Sequence, residues 1–299
     1  MRTNAPGQVE DLVPVAAGGN VAVEMWLPEG EARAAVVVHP ATATPQRFYR
    51  SCATFLAGHG VAAVTYDYRG TGRSGLPREH RSVRMRDWMA QDVPAVAAWT
   101  RDRLPRVPHF AVGHSVGGHA LALGFGTGGL TAFATVSSHA GVTAAIEDRG
   151  ERARVGMFFT LAPALSRVLG YAPSRLAGFG EDIPAGVVRD WAPWTRRPDY
   201  FFEDPTMQAA ERMSRVRLPV LALGAGDDPW ATPAQIDAIT DRLVSAAVTR
   251  RTYEPGDLGV NRVGHHGLLR RGVGEPAWTE IVEWFFSHGT PGDGPGGTA

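Results

Sequence analysis

The sequence has no lysine and only one cysteine. All 30 of its basic residues are arginines, and they balance 30 aspartates and glutamates, so the formal net charge is zero. A chain without excess positive charge lacks the overall electrostatic signature of proteins that bind nucleic acid or an anionic membrane. The composition therefore predicts neither a nucleic-acid partner nor a membrane partner.

Two further absences concern the compartment in which the protein works. Cys52 has no second cysteine with which to form an internal disulfide, and a small buried thiol is its expected role. No apolar run approaches the roughly 18 residues that span a bilayer. Residues 1–6 also lack the apolar centre of a signal peptide. We therefore expect a cytoplasmic protein with no segment inserted into a membrane.

Short β-branched runs alternate with helical stretches along most of the chain, which predicts an α/β fold with a mostly parallel sheet flanked by helices. The predicted strands are Val21 to Leu27, Ala34 to Val38, Val61 to Tyr66, His109 to Val112, Ala132 to Ser137, Val220 to Leu223 and Val248 to Tyr253. The predicted helices are Gln46 to Ala57, Val83 to Arg103, Gly117 to Phe125, Pro233 to Leu243 and Pro276 to Phe286.

One gap interrupts this alternation. About eighty residues separate the strand that ends near Ser138 from the strand that begins near Leu218, which is too long for an ordinary connection. The gap is rich in aromatic residues and prolines, so we expect an inserted, mainly helical cap over residues 142–217 with an apolar inner face. Residues 1–141 and 218–288 then form the core domain. Residues 289–299, dominated by glycine and proline, are expected to be a disordered tail.

The segment Gly113-His114-Ser115-Val116-Gly117-Gly118 follows a predicted strand and precedes a predicted helix. A serine flanked by glycines on such a turn is typical of a nucleophile elbow. Glycines suit the turn because it leaves no room for side chains at its flanks. The serine oxygen would lie at a helix N-terminus, which favours a developing negative charge. Ser115 is therefore the candidate nucleophile.

This elbow, together with three further segments, resembles the α/β-hydrolase superfamily over about residues 21–286. The segment Asp67-Tyr68-Arg69-Gly70-Thr71-Gly72-Arg73-Ser74 is similar to the family pattern Asp-x-Arg-Gly-x-Gly-x-Ser, which supports the fold and is not catalytic. Its glycines also match a dinucleotide-binding pattern. However, Leu76-Pro77 follows where that pattern requires a helix. We therefore interpret the segment as a structural loop.

The resemblance implies a catalytic triad in the order Ser, Asp, His. The acid is Asp227 or Asp228, which follow a predicted strand, and the spacing usual in the family favours Asp227. The base is His265, which follows a glycine as the histidine of the family commonly does, and is preferred to His266.

The same resemblance implies an oxyanion hole made of two backbone amides, those of Val116 and Ala41. The loop of Ala41 begins His39-Pro40, where the family commonly has His-Gly. This departure changes the shape of the loop, but proline itself is not the expected donor. His39 and His114 are expected to lie close enough to the elbow to line the pocket for a small-molecule acyl substrate.

The function that the resemblance implies is a serine hydrolase that cleaves a carboxylic ester or thioester through an acyl-enzyme, with no cofactor and no metal. No His-Glu-x-x-His pattern or cysteine pair suggests zinc. The segment Pro45-Gln46-Arg47-Phe48-Tyr49 also resembles a little-characterised bacterial group of predicted α/β hydrolases, which supplies no substrate.

Three alternatives use the same fold without hydrolysis: an acyltransferase, a biosynthetic cyclase and a small-molecule binder. A peptidase is a further possibility, and it would need acidic cap residues to hold a substrate amine. Glu147, Glu151, Glu181 and Asp182 are the candidates for that role, although solvated surface positions explain them more simply.

Overall fold

An eight-stranded sheet forms the centre of the computed structural model, which describes residues 7–289. Its strands are β1 (Gln8–Pro14), β2 (Asn20–Trp26), β3 (Ala34–His39), β4 (Val61–Tyr66), β5 (His109–His114), β6 (Leu130–Val136), β9 (Val220–Ala225) and β10 (Val248–Tyr253). Their order is β1-β2-β4-β3-β5-β6-β9-β10. A separate two-stranded sheet pairs β7 (Tyr171–Ala172) with β8 (Ile183–Pro184).

The prediction of a mostly parallel sheet is confirmed, because only the β1–β2 and β2–β4 pairs are antiparallel. Strands β3, β4, β5 and β9 are buried at every residue, as expected for parallel strands covered on both faces. Sequence reasoning missed β1. Its seven residues include three charged or proline positions, so only pairing with β2 identifies it as a strand.

The helices are α1 (Arg50–Gly58), α2 (Met85–Asp87), α3 (Val93–Arg103), α4 (Val116–Ala122), α5 (Arg149–Leu169), α6 (Ala185–Trp194), α7 (Ala209–Ser214), α8 (Pro233–Thr240), α9 (Gly264–Gly267) and α10 (Glu275–Gly289). Successive residues of a strand point to opposite faces. Accordingly, Val36 packs in one hydrophobic cluster with α1 and α10, while Val37 packs in the other with α3 and α4. Cys52 of α1 is a buried free thiol.

Residues 142–217, the predicted cap, contain α5, α6, α7 and the β7–β8 pair between β6 and β9, and we keep the terms cap and core domain for the two predicted parts of the chain. A buried carboxylate ties the cap to the core domain. Asp190 of α6 accepts hydrogen bonds from the guanidinium groups of Arg84 and Arg86, each with an Nε–O distance of 2.8 Å. Its side chain is fully buried. This ion-paired contact fixes α6 beside α2.

The predicted disordered tail lies outside the described residues except for Gly289, which ends α10. Within residues 7–289, none of the helices combines the length and the apolar character needed to cross a bilayer.

Candidate active site

Ser115 stands between the end of β5 and the start of α4, in a backbone conformation with φ of 51° and ψ of −112°. Positive φ is unusual for a residue with a side chain and stores strain at the turn. The flanking glycines are required for space. A Cβ atom on Gly113 would collide with the backbone of Gly118, and one on Gly117 would collide with the carbonyl of His39. The turn therefore presents Ser115 at the carboxyl edge of the sheet.

Ser115 lines a cavity between the core domain and the cap. Aromatic and aliphatic side chains make up most of the wall. The cap contributes Val142, Ile146, Val155, Phe159, Phe179, Trp191, Thr195 and Tyr200. The core domain contributes Ala41, Thr42, Met85, Val116, His119, His139, Gly141, Trp230, His265 and His266 alongside Ser115. The cavity thus combines an apolar cap with histidines on the core side.

His265, in α9, is held by a buried carboxylate. Its Nδ1 atom lies 2.7 Å from Oδ2 of Asp228, whose side chain is fully buried. Burial alone raises the pKa of Asp228, but the charge of His265 and the hydrogen bond to it hold that pKa well below its usual range. Asp228 therefore stays ionised, and it fixes the tautomer of His265 that carries a proton on Nδ1 and leaves Nε2 free to accept one.

The preference for Asp227 as the partner of His265 is wrong. Asp227 instead accepts hydrogen bonds from the backbone N–H groups of Val263 and Gly264, at 2.9 and 2.8 Å. A turn after β9, closed by the N–H of Asp228 bonding to the carbonyl of Ala225, directs the second aspartate toward His265. Both aspartates thus organise the same histidine loop, one through its backbone and the other through the imidazole.

The expected pocket residues His39 and His114 do not line the cavity. Both side chains are buried behind the turn. Nδ1 of His39 lies 2.9 Å from the hydroxyl of Tyr66, and burial lowers the pKa of His39 to about 3. Burial also lowers the pKa of His114 well below its usual value. The Nε2 atom of His114 lies 3.0 Å from the backbone carbonyl of His265, so this nitrogen carries the donated proton.

The two expected oxyanion donors differ in their surroundings. Among the described residues, no atom accepts a hydrogen bond from the N–H of Val116, which lines the cavity at the start of α4. The N–H of Ala41 instead donates to the hydroxyl of Tyr49 at 2.8 Å. The neighbouring Thr42 also lines the cavity, and its N–H has no acceptor within the described chain. The Ala41 amide is therefore already engaged in this conformation.

Sequence reasoning missed two histidines that line the cavity, His119 and His139, and considered a third, His266, only as the alternative base. The Nε2–H group of His119 donates to the carbonyl of His139 at 2.8 Å, and the Nδ1–H group of His139 donates to the carbonyl of Ser137 at 2.9 Å. Burial lowers the pKa of His119 to about 3 and the pKa values of His139 and His266 to about 4. All three are therefore neutral near pH 7.

Two sequence signals could have identified these histidines. His119 follows Ser115 by one helical turn, and His139 lies three residues after the end of β6, at the edge of the sheet where parallel strands end. Nothing comparable marks His266, whose Nε2 atom lies 3.0 Å from Oγ1 of Thr44, far away in the sequence. Among residues 7–289, no group of three or more acidic, histidine or cysteine side chains is placed to hold a metal ion.

The comparisons with known proteins agree with this architecture. A family model described as "Serine aminopeptidase, S33" matches residues 30–147, which include the strand-turn-helix of Ser115. The chain is 22% identical to a monoacylglycerol lipase of Mycolicibacterium smegmatis over 292 residues, which cover 91% of this chain and 94% of that lipase.

Solved structures resemble the whole chain at low sequence identity. A soluble variant of monoglyceride lipase from Saccharomyces cerevisiae, in complex with a substrate analogue, superposes with a TM-score of 0.70 at 13% identity, over 97% of this chain and 99% of that one. A highly thermostable carboxyl esterase from Bacillus coagulans, in complex with glycerol, has a TM-score of 0.61 at 14% identity, over 94% and 99% of the two chains. These similarities establish a shared fold.

Proposed function

We propose that the chain is a serine hydrolase of the α/β-hydrolase superfamily, and that it cleaves small carboxylic esters whose acyl or alcohol part is apolar. The observation that supports this proposal is the arrangement of Ser115, His265 and Asp228 at one cavity. Ser115 stands on a strained turn, and His265 faces the same cavity with its Nδ1 atom bound by the buried Asp228.

In the proposed reaction, Nε2 of His265 accepts the hydroxyl proton of Ser115 while the serine oxygen attacks the ester carbonyl carbon. The tetrahedral intermediate collapses as the imidazolium returns that proton to the departing alcohol, which leaves an acyl-serine. Water then gives a proton to His265 and attacks the acyl carbon, and the imidazolium returns that proton to the Ser115 oxygen as the acid departs. Asp228 stabilises the imidazolium in both steps.

In the resting structure, no hydrogen bond joins the Ser115 hydroxyl to His265 among the described residues. The two side chains must come within hydrogen-bond distance before proton transfer, and such contacts often tighten only when substrate binds.

The N–H of Val116 is the first donor that we propose for the oxyanion, because it faces the cavity without an acceptor. The second donor comes from the loop after β3. The sequence favours Ala41, whose N–H would first have to leave the hydroxyl of Tyr49. Thr42 is the neighbouring residue of this loop with an unengaged N–H at the cavity, so it can serve without that rearrangement.

The wall of the cavity supports an ester rather than an aminopeptidase substrate. Holding a substrate ammonium group requires a carboxylate, and the cavity wall of the described chain contains none. Two of the acidic candidates of the cap are engaged elsewhere. Glu151 pairs with Arg154 and accepts a hydrogen bond from the indole of Trp230, and Glu181 pairs with Arg47. Apolar groups of an ester, in contrast, match the aromatic wall.

The proposal is tested by incubating the protein with a fluorophosphonate, measuring intact mass and mapping the labelled peptide. We expect one adduct on Ser115, none in Ser115→Ala, and strongly slowed labelling in His265→Ala. Ser51→Ala, which changes a serine of α1 away from the cavity, is the matched control and should label normally. A folded protein that forms no adduct, or forms it on another residue, would overturn the assignment of the nucleophile.

A panel of p-nitrophenyl esters and the matching aminoacyl p-nitroanilides then tests the substrate class. Turnover of the esters with little turnover of the anilides is the expected result. Faster turnover of anilides that carry a free α-amino group would contradict the proposal and favour the aminopeptidase reading.

A further inference from the structure

One face of α5 is apolar and exposed. Met157, Leu161, Leu165 and Val168 have exposed fractions of 61%, 52%, 46% and 86%. Their spacing of four, four and three residues places them along one side of the helix, and we call them the cap stripe. No charged residue occurs between positions 155 and 166. The helix therefore presents a continuous apolar surface to solvent.

The cap stripe is not needed for the packing of the cap. The buried side of the same helix carries Val155, Phe158, Phe159 and Ala162, which pack in the main hydrophobic cluster. Among the described residues, six of the nine exposed large hydrophobic side chains lie between positions 157 and 176. Apolar side chains gathered in this way on the surface mark a site of interaction, whereas scattered ones do not.

A group of arginines adjoins the end of the cap stripe. Val168 lies in a surface depression lined by four exposed arginines, which we call the arginine cluster: Arg78, Arg81, Arg167 and Arg189. The first two belong to the core domain and the last two to the cap. No carboxylate lines the depression in the described chain. None of the four guanidinium groups makes an ion pair or hydrogen bond with a described residue. Glu79, their neighbour in sequence, lies with its carboxylate near the N–H of Leu76.

We propose that the cap stripe and the arginine cluster together form a docking surface for a membrane that contains anionic phospholipid. An amphipathic helix whose apolar face is flanked by basic residues binds at the boundary between headgroups and acyl chains. Guanidinium groups pair well with phosphate oxygens. The zero net charge of the chain does not oppose this docking, because headgroups respond to the charge within about a Debye length of the surface.

A second copy of this chain is a less favourable occupant. In a dimer with two-fold symmetry, the same patch of both subunits meets, so the two arginine clusters would come close together without carboxylates between them. The repulsion between like charges opposes that contact. Phosphate groups of a lipid surface have the opposite sign and remove the repulsion.

The test is co-sedimentation of the full-length protein with vesicles, which does not require turnover and can use Ser115→Ala. Vesicles of phosphatidylcholine alone are compared with vesicles that contain about one third phosphatidylglycerol. We expect at least tenfold tighter binding to the anionic vesicles, and we expect that binding to weaken as sodium chloride is raised. Absence of binding to the anionic vesicles, or equal binding to both kinds, would overturn the proposal.

Variants of surface residues test which side chains contact the vesicle. Leu161→Glu with Val168→Glu should reduce vesicle binding at least tenfold, as should Arg167→Glu with Arg189→Glu. Val244→Glu is the matched control, because Val244 is 74% exposed and lies outside the cap. It should bind as the parent protein does. Thermal unfolding and hydrolysis of a short water-dissolved ester check that each variant is folded.

Unchanged vesicle binding in both double variants would exclude this surface. Sedimentation velocity without vesicles tests whether a second copy of this chain binds to the cap stripe instead of a membrane. A stable dimer that Val168→Glu dissociates would assign the cap stripe to a second copy and overturn the proposal. Failure of the hydrolase proposal would leave all these binding results unaffected.

Discussion

The hydroxyl of Tyr49 lies 2.8 Å from Nδ1 of His114 in the buried layer behind Ser115. The same hydroxyl accepts the N–H of Ala41, and Nε2 of His114 donates to the carbonyl of His265. When the proton of His114 is on Nε2, the Tyr49 hydroxyl accepts from Ala41 and donates to Nδ1 of His114. Each donor in this network of hydrogen bonds then has an acceptor. The network therefore joins the loop after β3 to the loop that carries the candidate base.

Tyr49→Phe removes the centre of that network. The Ala41 N–H and the His114 Nδ1 atom would be left buried without partners, so we expect the free energy of unfolding to fall by about 1–3 kcal/mol. We also expect a lower kcat, because His265 loses a fixed support. Urea denaturation and ester kinetics measure the two effects. Tyr171→Phe, at a half-buried cap residue, is the control. Unchanged stability in Tyr49→Phe would contradict the network.

Asp227 and Asp228 can be separated by replacing each with asparagine. Asp228→Asn removes the charge beside the imidazole and should lower kcat by about 10³–10⁴-fold, the size typical of a lost triad carboxylate. Asp227→Asn weakens only the backbone hydrogen bonds to Val263 and Gly264 and should cost less than about tenfold in kcat. Steady-state kinetics on one ester decides between them. A larger loss in Asp227→Asn would restore the sequence preference.

The buried histidines make stability sensitive to acid. The folded state lowers the pKa of His119 to about 3 and that of His139 to about 4, from 6.5. Between these values and 6.5, the unfolded chain binds more protons than the folded one. Stability is therefore fully present above pH 6.5 and is lost as the pH falls toward 4. Each such histidine contributes up to about 1.4 kcal/mol per pH unit.

Urea denaturation at several pH values from 7.5 to 5 measures this slope. His119→Gln should make the slope shallower by up to about 1.4 kcal/mol per pH unit, whereas His59→Gln, at an exposed position, should leave it unchanged. A parent protein whose stability is constant across this interval would contradict the neutral, buried state of the histidines.

Trp191 limits the cap side of the cavity. Its ring packs edge-on against Phe159 with a centroid distance of 4.7 Å, and both residues line the wall. Trp191→Ala should enlarge the cavity and shift the preferred acyl chain to a greater length, with a gain of up to about fourfold in kcat/KM per added methylene that fits. A series of p-nitrophenyl esters measures the shift. Trp284→Ala, outside the cavity, should keep the parent preference.

The sequence determined the features that depend on neighbours along the chain. Continuous apolar runs identified the buried parallel strands, since such a run indicates a buried strand even when its neighbouring strands are unknown. The glycines beside Ser115 predicted a sharp turn between β5 and α4. The structure has the turn there, and neither Gly113 nor Gly117 has space for a Cβ atom. The loop that contains Asp67 and Arg69 was interpreted as structural because the sequence predicts no helix directly after it, and the next helix in the structure, α2, begins at Met85.

Tertiary structure decided which side chains meet. Asp227 and Asp228 are adjacent in sequence and equal in chemistry, and only the turn after β9 selects the one that reaches His265. In the same way, His114 was expected in the cavity but is buried behind it, while His139 faces it. Contacts between residues far apart in sequence depend on how the strands and the cap pack, and local patterns do not encode that direction. The buried central strands and the turn that carries Ser115 were therefore predictable from the sequence, whereas the orientation of individual polar groups at the site was fixed by packing.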